Sequence, residues 1–372
     1  MNWIIIYICV FLTVMIITGV IIPQILLIAF RKNLFDDIDH RKIHKGAVPR
    51  LGGIAFFPAI LFSVLFVFGI CCRFKTLNLY ALHGGDITGL CFICCAIIIL
   101  YLVGMTDDLI GVRYRAKFIA QIISSVLIVC GGIYIDNFHG FLMVYNLPLV
   151  VTILLTILLI VFITNAINLI DGIDGLASGL SAIACLFYGF VFTIAGLHLY
   201  AILSFATLGA LVPFFYYNVF GNPHKHSKIF MGDTGALTIG LILSVLSLRI
   251  TQIDDADFDS NSAVLAFAPL LIPCLDVVRV YLHRIKAHRS PFLPDKTHIH
   301  HKLLALGMHQ YVAMPTIVAA SVLLIALNYI LSSVINITLL FAVDMVLWCV
   351  VNKLLSNAIR KREKKTGENL YS

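Results

Sequence analysis

Apolar runs of about 20 residues recur along almost the whole chain, and that is the length an α-helix needs to cross the hydrocarbon core of a bilayer. The 372 residues are 60% hydrophobic and 12% charged, with a mean hydropathy of +1.00, which excludes an ordinary soluble domain. The expected fold is an all-α polytopic membrane protein: one transmembrane domain over residues 1–351 and a basic tail over 352–372. The first run, residues 4–30, is longer than a signal-peptide core and has no small-residue cleavage site, so it reads as a retained helix. The ten cysteines fall mostly inside apolar runs and lack the spacing of a disulfide framework or a metal site.

Eleven spans are expected, at about 4–30, 53–72, 87–105, 118–135, 147–164, 176–195, 200–217, 236–250, 263–282, 314–330 and 335–351. An odd number puts the termini on opposite sides. The segments that follow odd-numbered spans carry 22 of the 26 Lys and Arg residues. The positive-inside rule then places the N-terminus outside and the C-terminus in the cytoplasm. The net charge of +7 is concentrated on the cytoplasmic loops, where it would attract polyanionic small molecules and anionic headgroups. These loops are 31–52, 106–117, 165–175, 218–235 and 283–313. The acidic outside segment 254–259 alternates carboxylates but lacks the turn glycine and distal glutamate of a calcium loop.

Five short polar stretches fall on that one face: Lys45 to Gly53 (KGAVPRLGG), Asp107-Asp108, Asn165 to Gly175 (NAINLIDGIDG), Phe230 to Gly235 (FMGDTG) and His298 to His301 (HIHH). Asn165, Asn168 and Asp171 are three apart and share a helical face, where amide and carboxylate oxygens suit a hard cation such as Mg²⁺. Asp171, Asp174 and two glycines then turn the chain. In FMGDTG the glycines allow close backbone approach, and Asp233 suits either a cation or a helix cap. Asp107-Asp108 are adjacent carboxylates at a membrane boundary, with Arg113, Arg115 and Lys117 as counter-charge. His298, His300 and His301 raise the alternative of zinc, but no cysteine lies near, and histidines with Arg289 can instead bind pyrophosphate oxygens. Arg50 and Lys45 beside flexible backbone suit the approach of a phosphate. A transporter is the rival reading; its ionisable groups belong near the bilayer midplane in repeated halves, and this chain gathers them at one interface.

From about residue 36 to about residue 310 the chain resembles the bacterial polyprenyl-phosphate N-acetylhexosamine-1-phosphate transferases of glycosyltransferase family 4. It is more distantly similar to the phospho-MurNAc-pentapeptide transferases, which carry a different histidine motif from the PDKTHIHHKLLALG found here. The resemblance implies eleven helices and an N-terminus outside, in a multi-pass protein of the bacterial cytoplasmic membrane with its active site on the cytoplasmic face. It implies transfer of HexNAc-1-phosphate, with GlcNAc-1-phosphate the expected case, from a UDP-sugar to undecaprenyl phosphate. UMP is released, and lipid-linked cell-surface glycan synthesis begins. Carried over by motif, Asp107, Asp108 and Asp174 are the catalytic candidates, and Asn168 and Asp233 the ligands of Mg²⁺, with Mn²⁺ an alternative. Lys45, Arg50, Asn165, Asp171, Phe230, Arg289, His298, His300 and His301 are the substrate-binding candidates. The implied partners are the donor, the lipid acceptor and the membrane, with a homodimer compatible and no nucleic acid.

Overall fold

The computed structural model describes residues 3–35, 48–74, 84–253, 262–288 and 297–367, and among these no strand forms. The helices are α1 (Trp3–Lys32), α2 (Phe56–Arg73), α3 (Gly84–Ile110), α4 (Tyr114–Cys130), α5 (Leu149–Ile170), α6 (Leu176–Ile194) and α7 (His198–Val219). They continue as α8 (Gly232–Thr251), α9 (Ser262–Phe267), α10 (Leu271–Lys286), α11 (Ile299–Ala305), α12 (Gln310–Ser332) and α13 (Ile337–Thr366). A 3₁₀ turn at Gly52–Ala55 leads into α2, and another at Ala268–Leu270 joins α9 to α10. Among the described residues, ten segments are long and apolar enough to cross a membrane. The eleventh expected span, near 118–135, is α4, whose 17 residues are at the short end of what a crossing helix needs. The protein is a polytopic membrane protein of helices.

Helix α8 is the axis of the bundle. Every residue from Thr234 to Leu248 is buried, including Thr238, Ser244 and Ser247. The serines satisfy themselves within the helix: Ser244 Oγ donates to Gly240 O (2.7 Å) and Ser247 Oγ to Ser244 O (2.9 Å). α3, α5, α6 and α9 pack around it. The outer helices α1, α12 and α13 leave rows of Ile, Leu and Val exposed, as Ile16 on α1, Leu323 on α12 and Val346 on α13 illustrate. A water-soluble protein rarely leaves so much apolar surface open; a lipid-facing one requires it.

Small residues let the helix ends at the site approach closely. The 3₁₀ turn before α2 meets the start of α8 backbone to backbone, with Gly53 against Gly235. A Cβ on Gly53 would lie 2.0 Å from the Gly235 nitrogen. Main-chain bonds lock the two segments together: Gly52 N to Phe230 O (2.9 Å), Gly53 N to Met231 O (2.8 Å) and Phe230 N to Pro49 O (2.9 Å).

Three sequence expectations change. Asp107 and Asp108 lie in the last turn of α3 rather than beyond it, because α3 runs on to Ile110. The long segment after α10 is not all loop: His298 starts the short helix α11, which Ile299 and Leu303 anchor in the core. The tail boundary at 352 falls inside α13, which continues unbroken to Thr366.

A methyl group at Gly53 has no room, whereas one at Gly69 of α2 meets nothing within 4 Å. Gly53→Ala is therefore expected to destabilise by about 1–3 kcal/mol or more through overpacking, and Gly69→Ala to be neutral or mildly stabilising. Thermal unfolding of both variants in the same detergent checks the pair.

Candidate active site

Three helix ends meet at one end of the bundle: the C-termini of α3 and α5 and the N-terminus of α8. The first amides of α8 lack helical partners and need an acceptor. Asp108 supplies it. Its Oδ1 accepts from Asp233 N (2.7 Å), and its Oδ2 accepts from Thr234 N (2.9 Å) and from the Thr234 hydroxyl. The turn before the helix needs Gly232 at φ +72°, where a Cβ would lie 2.1 Å from Arg50 O and 2.6 Å from the Asp108 carboxylate.

Asp233, held in place by that cap, is the hub. Its Oδ1 accepts from Asn168 Nδ2 (3.1 Å), and its Oδ2 pairs with the Lys117 ammonium. The same ammonium donates to Asp107 Oδ2 (2.6 Å), and Asp107 Oδ1 takes Val112 N (2.6 Å). Asp107, Asp108 and Asp233 bring carboxylate oxygens within 4.8 Å of one another, close enough to hold one cation. The donors are hard oxygens, and Asn168 still has its amide oxygen free of the bond it donates. The set fits Mg²⁺ or Mn²⁺ and does not suit a soft metal. Beside the cluster is a cavity of about 120 Å³. Tyr114, Lys117, Phe118 and Gln121 of α4 line one wall; Asn165 and Asn168 of α5 with Asp233 and Leu237 of α8 line the other. Asn165 sits at its back in a reciprocal amide pair with Gln121, at 2.8 Å and 3.3 Å.

Asp171 caps α5. It is accessible to solvent yet surrounded by protein, and desolvation, reinforced by Asp174, pushes its carboxyl up to about 7 while Arg50 opposes the shift. Asp174 is buried and paired with Lys228 at 2.5 Å, each side chain 3% exposed, and it also accepts from Gln310 Nε2 (3.2 Å). Its carboxylate thus ties the turn after α5 to the strand-like segment that enters FMGDTG. Asn218 completes that tie through Gly175 N (2.7 Å) and Ile229 O (2.9 Å).

The histidines lie against the turn that follows α5. His300 is 1% exposed, and its imidazole presses on Gly172: a Cβ there would lie 2.1 Å from Nε2. Burial, then the neighbouring His301 and His298, hold its pKa well below the ordinary value, so it is a neutral imidazole. Neither His300 ring nitrogen has a partner among the described residues. The His298 and His300 rings lie parallel, 5.7 Å apart, and His301 packs 4.2 Å from His300. α11 is braced from behind. Buried Lys302, its pKa pushed down to about 8 by desolvation and then Arg279, donates to Asn352 Oδ1 and Ser356 Oγ of α13, both at 3.0 Å.

Four of the five polar stretches are thus joined by direct bonds or backbone contact, and the fifth meets them through His300 on Gly172. Arg50 is exposed at the rim, and Phe230 is bonded through its main chain. Lys45 and Arg289 lie outside the described residues. Sequence reasoning gave Lys117 only a counter-charge role, set Lys228 with His224, Lys225 and His226 in a phosphate-facing loop whereas it is buried against Asp174, and passed over Gln121, Asp276 and Arg279 as site residues. An acid and an arginine within the apolar span 263–282 were the available signal.

The family model described as Glycosyl transferase family 4 matches residues 90–251, the stretch that holds Asp107, Asp108, Asn168, Asp174 and Asp233. The chain is 32% identical over 298 residues to a protein of Bacillus subtilis named probable undecaprenyl-phosphate N-acetylglucosaminyl 1-phosphate transferase, covering 80% of this chain and 76% of that one. It is 28% identical over 304 residues to the Escherichia coli K12 undecaprenyl-phosphate alpha-N-acetylglucosaminyl 1-phosphate transferase, covering 81% and 77%. The Salmonella typhi protein of that name is also 28% identical, over 299 residues, covering 80% and 76%. The 32% identity over most of both chains and the family-model match over residues 90–251 agree: this chain belongs to glycosyl transferase family 4, alongside the undecaprenyl-phosphate sugar-1-phosphate transferases.

Proposed function

We propose that the protein transfers GlcNAc-1-phosphate from UDP-GlcNAc to undecaprenyl phosphate, releases UMP and so begins a lipid-linked glycan. The carrying observation is the Asp107–Lys117–Asp233–Asn168 cluster beside a cavity lined by both polar and apolar side chains. The names of the relatives support this reading over a phospho-MurNAc-pentapeptide transferase or a transporter.

The charge balance explains why a cation belongs here. Three carboxylates face one described ammonium, so a polyanionic donor would be repelled unless further positive charge is bound. Asp233, Asn168 and Asp107 would hold a divalent cation, which when bound would supply that charge against the pyrophosphate. The reaction forms a bond between an oxygen of the lipid phosphate and the β-phosphorus of the donor. It breaks the bond from that phosphorus to the bridging oxygen, which leaves on UMP. A lipid phosphate is already ionised near neutral pH, so the protein's work is positioning and neutralising charge rather than removing a proton. Lys117, poised between Asp107 and Asp233, meets incoming phosphate oxygens, and Tyr114, Phe118 and Leu237 offer an apolar wall for the first lipid carbons. His300, neutral, offers one N–H as a hydrogen-bond donor beside Gly172, where the nucleotide sugar enters from solvent. Asp174 acts by fixing the turn that carries Asp171.

Asp233→Ala is expected to abolish activity and Mg²⁺ or Mn²⁺ binding together, since it removes the hub of the cluster. Metal titration of the purified variant checks this, and a zinc requirement abolished by His301→Ala would place the metal at the histidines instead. Asp107→Asn is expected to lower kcat and leave UDP-GlcNAc affinity nearly intact, while His300→Ala weakens that affinity roughly ten- to a hundredfold, the value of one hydrogen bond to a charged group. Calorimetric titration of both variants reads the difference; the opposite pattern would reverse the assignment. The Lys and Arg distribution supports a cytoplasmic location for this face. A cysteine introduced at position 256 should therefore react with an impermeant reagent added to intact cells, and one introduced at Lys364 should not.

A further inference from the structure

Asp276 of α10 is fully buried, and its hydrogen bonds run to the histidine segment rather than to the carboxylate cluster. Its two oxygens have separate tasks. Oδ1 accepts from Arg279 Nη2 (2.8 Å), Arg279 Nε (3.3 Å) and Ile299 N (3.1 Å). Oδ2 is bonded to His298 Nδ1 at 2.8 Å. Arg279 Nη2 also donates to Thr297 O (2.5 Å). Thus α10 grips three consecutive residues, Thr297, His298 and Ile299, by main chain, ring and main chain.

Capping α11 accounts for Oδ1 alone. It leaves the bond from Oδ2 to the imidazole unexplained. An ionised carboxylate only accepts, so the proton of that bond belongs to Nδ1. Nε2 is then the nitrogen with which the ring meets anything else, and its direction is set by a buried ion pair rather than by a mobile loop.

We propose that Asp276, supported by Arg279, is a positioning residue of the transferase: it fixes His298 as the Nδ1–H form and so presents Nε2 to the phosphates of the nucleotide-sugar donor. This rests on the functional reading above for the identity of the ligand, but not for the tautomer. On binding, Nε2 takes a proton from solvent and donates it to a phosphate oxygen, and the Asp276 carboxylate, still bonded to Nδ1–H, balances the charge of the imidazolium. The opposite tautomer would lose the Asp276 bond and offers an Nε2–H only as a neutral donor. Sequence reasoning grouped His298 with its neighbours as an equivalent donor; the structure separates it from His300, whose ring nitrogens have no partner among the described residues.

The test is Asp276→Asn. Arg279 and Ile299 N still need an acceptor at the Oδ1 position, so the amide oxygen stays there and the NH₂ replaces Oδ2. It then donates to His298 Nδ1 and drives the ring proton to Nε2. Spectra of ¹⁵N-histidine-labelled full-length protein, with His298 assigned by comparison with His298→Gln, should show a protonated Nδ1 in the wild type and a protonated Nε2 in the variant. Titration with UDP-GlcNAc and Mg²⁺ should show affinity reduced roughly tenfold in Asp276→Asn, the difference between a charged and a neutral donor. In a His298→Ala background the second substitution should add little, because the two residues act as one unit. An unchanged tautomer, a changed tautomer with wild-type affinity, or fully additive losses would each overturn the proposal. If Asp276→Asn does not accumulate, the wild-type spectrum still decides, since a protonated Nε2 with a bare Nδ1 contradicts the assignment. Wild-type protein that binds no UDP-sugar overturns the functional reading, and the role of Asp276 is then judged on the tautomer alone.

Discussion

The site depends on one interaction, the cap that Asp108 of α3 places on the N-terminus of α8. Unpaired amides at a helix start are costly anywhere and more so where lipid limits access of water. Bonds from such amides to a carboxylate are worth about 1.5–3 kcal/mol each. The cap therefore fixes where α8 begins, and Asp233 stands in its first turn. The pairing of Gly52 and Gly53 with Phe230 and Met231 holds the same turn from the other side. Gly232 has to be glycine because the cap and the Arg50 carbonyl occupy the place of a side chain.

With Asp233 fixed, the rest of the site follows from charge. Lys117 answers two carboxylates, Asn168 turns its NH₂ toward Asp233, and the amide pair of Asn165 and Gln121 closes the back of the cavity. Nothing in this arrangement relies on mobile side chains. The cluster sits on the rigid ends of α3, α5 and α8, and preorganised charge is what phosphoryl transfer needs most. Because α8 is buried along nearly its whole length, small displacements at its N-terminus are resisted by the packing of the entire bundle.

The histidine segment is built differently. α11 has only seven residues and could not hold its own conformation. It is fixed from outside: Asp276 and Arg279 of α10 grip its start, and α13 takes Lys302, while Arg362 donates to Ala305 O (3.2 Å) at its end. The basic end of α13 thus serves the site as a brace, so the segment read from sequence as a tail is part of the architecture.

Composition and apolar run length were enough to determine an all-helical membrane protein, because lipid leaves the backbone of an apolar segment few other ways to satisfy its polar groups. Motif chemistry at the ends of those runs was enough to mark Asp107, Asp108, Asn168 and Asp233 as a group, since carboxylates and amides are retained in so apolar a chain only at some cost. What each residue does was settled by tertiary contact. Asp107 and Asp108 are neighbours of the same type, yet one faces an ammonium and the other caps a helix, because successive residues of a helix point about 100° apart. Asp174 reads like Asp171 but is buried against Lys228, which lies 54 residues later. His298 and His300 differ for the same reason: Asp276 reaches only one of them. Sequence fixes which groups are available at a helix end; only packing decides which of them spend their hydrogen bonds on the protein and which keep them for a ligand.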